Sequence, residues 1–105
     1  MRLNEIENPN NIWTNRPDDF ESSGVKYYID TIGINKITEI AWTVTSVVKD
    51  LIRDIKKGDK IPLILLEKIS DNEYELHDGQ HRFDAFTKLY PKSNNIKAAI
   101  FSVKK

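Results

Sequence analysis

The sequence predicts a compact α+β domain, a small mixed sheet with two main helices, and three observations carry that expectation. The run IPLILLEKI (61–69) has the length and punctuation of a central strand. Residues 44–55 place apolar side chains at helical spacing. The segments EYELH and IKAAIFSV flank a second helix-like run, QHRFDAFTKLY, so strand and helix signals are interleaved along 105 residues.

The elements follow in chain order. Residues 1–24 are rich in Asn, carry Pro9 and Pro17, and keep no sustained period, so they read as a loosely structured lead-in. Trp13 and Phe20 are the residues expected to pin it to the body by burying their rings. The domain proper is expected over 25–105. In VKYYID, Val25, Tyr27 and Ile29 alternate with Lys26, Tyr28 and Asp30, as in a half-buried strand that continues through IGINKI or bends at Gly33. Val44, Val47, Val48, Leu51, Ile52 and Ile55 form one stripe of a helix. Its β-branched residues weaken intrinsic propensity, so it must rely on packing. Lys56, Lys57 and Gly58 supply its end, with cations at the negative pole and glycine as the left-handed cap. In the 61–69 strand Pro62 fits only near the start. Asp71-Asn72 then turns the chain into EYELH, with Tyr74 and Leu76 on one face. The DG dipeptide breaks that strand, QHRFDAFTKLY forms the second helix, stopped by Pro91, and IKAAIFSV (96–103) closes the sheet.

Composition bounds the function. Sixteen basic and sixteen acidic residues cancel, so no overall field draws the chain to nucleic acid or an anionic membrane, and DNA is not a favoured partner. No apolar run approaches the roughly 20 residues of a membrane helix, and the amino terminus carries no signal-peptide core, so a cytoplasmic location is expected. With no cysteine there is no disulfide, thiolate metal site or cysteine nucleophile.

The concentrated polar chemistry lies in YELHDGQHRFDAF (74–86). A strand, a glycine turn and a helix start together suit an anion: the first helical turn offers unpaired N–H groups, and glycine permits close approach to the backbone. On turn chemistry alone, the simpler explanation is Asp78 as an N-cap and Gly79 as strain relief. Arg82 shares a helix face with Phe83, Ala85, Phe86, Leu89 and Tyr90, where a guanidinium requires an anionic partner. That partner is either a carboxylate, from Glu39 or Asp78, or a phosphate gripped jointly with the N–H groups of Gly79 to His81. His81 projects to the polar side with Asp84 and Lys88, as a solvated residue, an anion donor or an acid–base group. His77, ending a strand, is a weaker candidate. A functional Asp78 beside a phosphate implies a magnesium ion between them.

Strand-DGQHRFDAF, preceded by an amphipathic helix and the IPLILL strand, resembles the ParB/sulfiredoxin superfamily over about residues 25–104. The short G-x-H-R motif and the string DGQHR carry the resemblance. It implies phosphate binding by Gly79, His81 and Arg82, with Asp78 and Gln80 in the same turn, and a nucleotide ligand: ATP, ADP or CTP with Mg2+. Gln80 stands where sulfiredoxin has its catalytic cysteine, so sulfinic-acid reduction is excluded. A ParB partition protein is not expected, since 105 residues leave no room for its helix-turn-helix and dimerisation segments. Glu39 falls near a position that holds functional polar residues in several relatives, and the resemblance to the serine-kinase branch implies a general base for a substrate hydroxyl there; a solvated loop carboxylate is the alternative. Three functions follow from the resemblance: an NTPase or phosphotransferase using Glu39 and His81; a non-catalytic regulatory or interaction module, with a protein partner, of a bacterial, phage or plasmid DNA modification or defence system; and a ParB-like nuclease.

Overall fold

The computed structural model describes residues 9–17, 26–38 and 42–102. A short 3-10 turn, Pro9–Ile12, leads into β1 (Trp13–Pro17). β2 (Tyr28–Gly33), a 3-10 turn at Ile34–Lys36 and the two-residue β3 (Ile37–Thr38) come next. Then follow α1 (Thr45–Lys56), β4 (Ile61–Ser70), β5 (Glu73–Asp78), α2 (Gln80–Leu89) and β6 (Asn95–Phe101). The mixed α+β expectation holds, with two α-helices and a six-stranded sheet among the described residues. No helix among the described residues is long and apolar enough to cross a membrane.

β4 organises the sheet, whose order is β2-β6-β4-β5-β3 with β1 attached to β4. Leu63, Ile64 and Leu66 of its apolar run are fully buried, as expected of a strand covered on both sides. It pairs antiparallel with β5 through the Asp71-Asn72 turn and parallel with β6, while its first residues pair parallel with β1. Leu76 and Tyr74 face the core, as their alternation predicts, together with Ile96, Ala98 and Ile100 of β6. Phe83, Ala85 and Phe86 bring α2 onto this core, and Val48 and Ile55 bring α1.

Two strands depart from the expected pattern. The lead-in contains β1: Trp13 is buried and its ring lies 5.6 Å from that of Phe86. Asn10 fastens this segment, since its Oδ1 accepts from Trp13 Nε1 at 3.0 Å and from the Lys97 N–H at 2.9 Å. Only Trp13 and Pro17 of β1 are buried, too few for a period to show. Phe20 lies outside the described residues. In β2 the inward set is not the one expected. Ile32, in register with Ile96, is the buried residue, whereas Ile29 is 38% exposed. Among the described residues β2 is an edge strand paired with β6, so burial on it is set by that neighbour's register rather than by its own alternation.

The end of α1 follows the expected chemistry. Gly58 is left-handed at φ 100°; its N–H donates to the Ile55 carbonyl at 3.0 Å and the Asp59 N–H to the Asp54 carbonyl at 3.1 Å. That pair of bonds is a Schellman motif. The start of α1 is different, since Val44 and Val47 are 42% and 41% exposed. Polar contacts with α2 add to the burial of Val48 at this first turn.

Candidate functional site: the glycine turn before the second helix

β5 delivers Asp78 to the end of the sheet, and Gly79 turns the chain into α2 at φ 99°, ψ 28°. L-residues other than glycine rarely adopt this conformation. The Gly79 carbonyl accepts the Phe83 N–H at 2.7 Å, which closes the first helical turn. By helix geometry the N–H groups of Gln80, His81 and Arg82 have no acceptor inside the helix. The N-cap is Gly79, and no side chain caps it. The N-cap reading of Asp78 is therefore corrected: Asp78 belongs to the strand, and its carboxylate turns to Arg82.

Glycine at 79 is required by packing as well as by conformation. A Cβ there would lie 2.9 Å from Ile64 Cγ2 and 3.0 Å from Arg82 Nη2. The close approach that glycine permits is thus taken by the central strand and by the guanidinium. Arg82 lies across the turn with its side chain 13% exposed. Its Nη2 donates to the Leu63 carbonyl at 3.3 Å and lies 3.5 Å from Asp78 Oδ2. Its Nε is buried and has no hydrogen-bond partner among the described residues. A guanidinium has five donors, and each buried donor left unanswered costs about 1–3 kcal/mol. Among the described residues, Arg82 Nη2 is held by these two long contacts.

The polar side of α2 is engaged with the start of α1. The Val44 N–H donates to His81 Nε2 at 3.0 Å, and Thr43 Oγ1 donates to Asp84 Oδ2 at 2.8 Å. As an acceptor, His81 Nε2 carries no hydrogen in this arrangement, so the ring's remaining donor is Nδ1. Asp84 also accepts from Lys88 Nζ at 2.7 Å. That bond to Lys88, then the Thr43 hydroxyl, holds the Asp84 carboxyl below its ordinary range against the opposing effect of burial. The N–H of Val44, the N-cap of α1, is thereby satisfied by the motif helix, a link with no signature in local spacing.

The expected site residues are distributed accordingly. Asp78, Gly79, Gln80, His81 and Arg82 are brought together at one turn, with Gln80 half-buried at its start. Glu39 lies outside the described residues. His77 faces Glu67 across the hairpin at 2.7 Å and Glu75 of its own strand at 3.2 Å. The Leu63 carbonyl and Thr43 were invisible to sequence reasoning because both act through tertiary contacts with α2.

This fold is similar to that of solved ParB N-domain structures. The chain superposes on SbnI with C-terminal truncation from Staphylococcus aureus with a TM-score of 0.57 at 18% identity, covering 73% of this chain and 31% of that one. The pNOB8-like ParB N-domain matches with a TM-score of 0.56 at 20% identity, over 76% of this chain and 29% of that one. A conserved hypothetical protein from Pyrococcus furiosus matches with a TM-score of 0.53 at 24% identity, over 76% and 33%. The chain thus spans about a third of the length of these structures. No family model matches the chain, and no curated protein matches it.

Proposed function

We propose that the protein binds the phosphate of a nucleotide at the Asp78–Arg82 turn. The observation that carries this reading is Arg82, a nearly buried cation whose Nε, among the described residues, has no hydrogen-bond partner and whose Nη2 makes two long contacts. It sits beside three amide N–H groups at the positive end of a helix. A phosphate there would accept from those amides and draw the guanidinium away from Asp78. Asp78, half-exposed, is the carboxylate at the turn. A single carboxylate plus ligand phosphates suits Mg2+, which retains most of its waters.

The engagement of His81 favours a binding module over an enzyme. A base on α2 would need a free acceptor, and His81 Nε2 is committed to the Val44 amide. An NTPase or phosphotransferase would then rely on Glu39 as base and on charge stabilisation by Arg82. The regulatory module of a DNA modification or defence system requires only the turn. A nuclease reading gains nothing from a chain of zero formal charge.

Thermal unfolding with ATP, ADP and CTP, each with and without Mg2+, tests this. Saturation at about 100 times Kd stabilises a domain by about 2.7 kcal/mol. Arg82→Ala should weaken binding roughly 10- to 100-fold, the value of about 1.5–3 kcal/mol for a charged hydrogen bond. Absence of any shift with all three nucleotides refutes nucleotide binding. Binding without phosphate release supports the module, and release abolished by Glu39→Gln supports catalysis.

A further inference from the structure

The β4–β5 hairpin carries a second polar constellation, away from the phosphate-binding proposal. Glu67 and Glu75 are directly opposite in the antiparallel register. Their in-register neighbours Leu66 and Leu76 are fully buried, so by alternation both glutamates stand on the other face of the sheet. Like charges facing each other across a strand pair are destabilising unless a cation lies between them. Glu67 has little water to screen it, with a side chain 18% exposed.

His77 is aimed at this pair by a defect in the ladder. Leu66 pairs with Leu76, but Leu65 pairs with Asp78, so β5 holds one extra residue, His77, at a β-bulge. Its Nε2 lies 2.7 Å from Glu67 Oε1 and 3.2 Å from Glu75 Oε1, and one ligand atom from each residue falls within 4.8 Å of the others. The Phe101 ring meets the imidazole edge-on, at 5.1 Å and 84°, and fixes its plane.

We propose that Glu67, Glu75 and His77 form a binding site for a first-row divalent transition metal, with zinc as the reference ion. Tetrahedral ligands about 2.0–2.2 Å from a metal stand about 3.4 Å from one another. The two nitrogen–oxygen separations need only small side-chain rotations to reach that spacing. One imidazole and two carboxylates are a nitrogen–oxygen set suited to zinc and its neighbours; without sulfur it does not select copper(I), and three protein ligands fall short of a calcium cage. The histidine and Glu75 are solvent-accessible, which leaves the remaining coordination positions to water or to a ligand. A cation there would cancel the opposed carboxylates and tie the two strands of the hairpin together.

The test is titration of ZnCl2 into the nucleotide-free full chain, followed by calorimetry and thermal unfolding, with MgCl2 and CaCl2 in parallel. The expected result is 1:1 zinc binding with a rise in Tm of several degrees. That response should vanish in His77→Ala and in Glu67→Gln, and persist in Arg82→Ala and His81→Ala. Cobalt(II) should give visible d–d absorption that depends on His77. If His77→Ala does not fold, as judged by circular dichroism, Glu75→Gln takes its place. No zinc binding, a response that survives loss of His77, or preference for Mg2+ or Ca2+ overturns the proposal and leaves a histidine–carboxylate ion triad only. Retention of the zinc response in Arg82→Ala separates this outcome from the fate of the phosphate turn.

Discussion

Replacing Gly79 by alanine places a methyl carbon where Ile64 and Arg82 already are. Two costs combine. The first is conformational, since φ 99° is a backbone state in which a Cβ costs about 1–2 kcal/mol. The second is steric: the new carbon would lie 2.9 Å from Ile64 Cγ2 and 3.2 Å from Ile64 Cα, on the central strand, and overpacking of this kind costs about 1–3 kcal/mol. The sum is about 2–5 kcal/mol. Gly58 provides the internal control, because its φ is 100° and nothing lies within 4 Å of its would-be Cβ. Gly58→Ala should therefore show only the conformational cost. Urea unfolding followed by far-UV circular dichroism measures both. With an m-value of about 1.5–2 kcal/mol/M, the midpoints of the two variants should differ by roughly 0.5–2 M. Equal midpoints, or a smaller loss at Gly79, would refute the claim that the turn is packed against β4 through a missing side chain.

Two further outcomes test the frame around the turn. Asp84→Asn should destabilise the domain by about 0.5–1.5 kcal/mol at neutral pH by weakening the bonds to Lys88 and Thr43. Because the folded-state pKa of Asp84 is lowered, its contribution is present above the unfolded value of about 3.9 and is lost as pH falls through the folded value. The difference between wild type and variant should accordingly shrink below pH ~4, and a difference constant down to acid pH would contradict it. Trp13→Ala should cost about 3–5 kcal/mol, lowering Tm by at least about 12 °C. A loss under 1 kcal/mol would mean that β1 is peripheral to the core that Trp13 and Phe86 share.

The strands and helices with strong periods were legible before the structure. The 61–69 run, the Tyr74/Leu76 alternation and the Gly58 cap all appear where local chemistry puts them. β1 was not legible, because a strand that buries two residues leaves no period and is fastened by distant partners, Phe86 against Trp13 and Lys97 through Asn10. The inward side of β2 was misread for a related reason: on an edge strand the register with β6, not the strand's own alternation, decides that Ile32 is inside. At the turn, the placement of Arg82 on the buried face follows from helical spacing, and the 13% exposure of its side chain agrees. The partners of His81 and the facing of Glu67, Glu75 and His77 depend on sheet register and helix docking, which no linear spacing encodes.

The central claim, that the turn from Asp78 to Arg82 receives a phosphate, is tested most directly by amide NMR. In 15N-labelled protein titrated with ATP and, separately, with inorganic phosphate, the resonances of Gln80, His81 and Arg82 and the Arg82 Nε–H should shift together and saturate. They should fail to do so in Arg82→Ala. Shifts confined to other surfaces, or resonances unmoved at millimolar ligand, would contradict it.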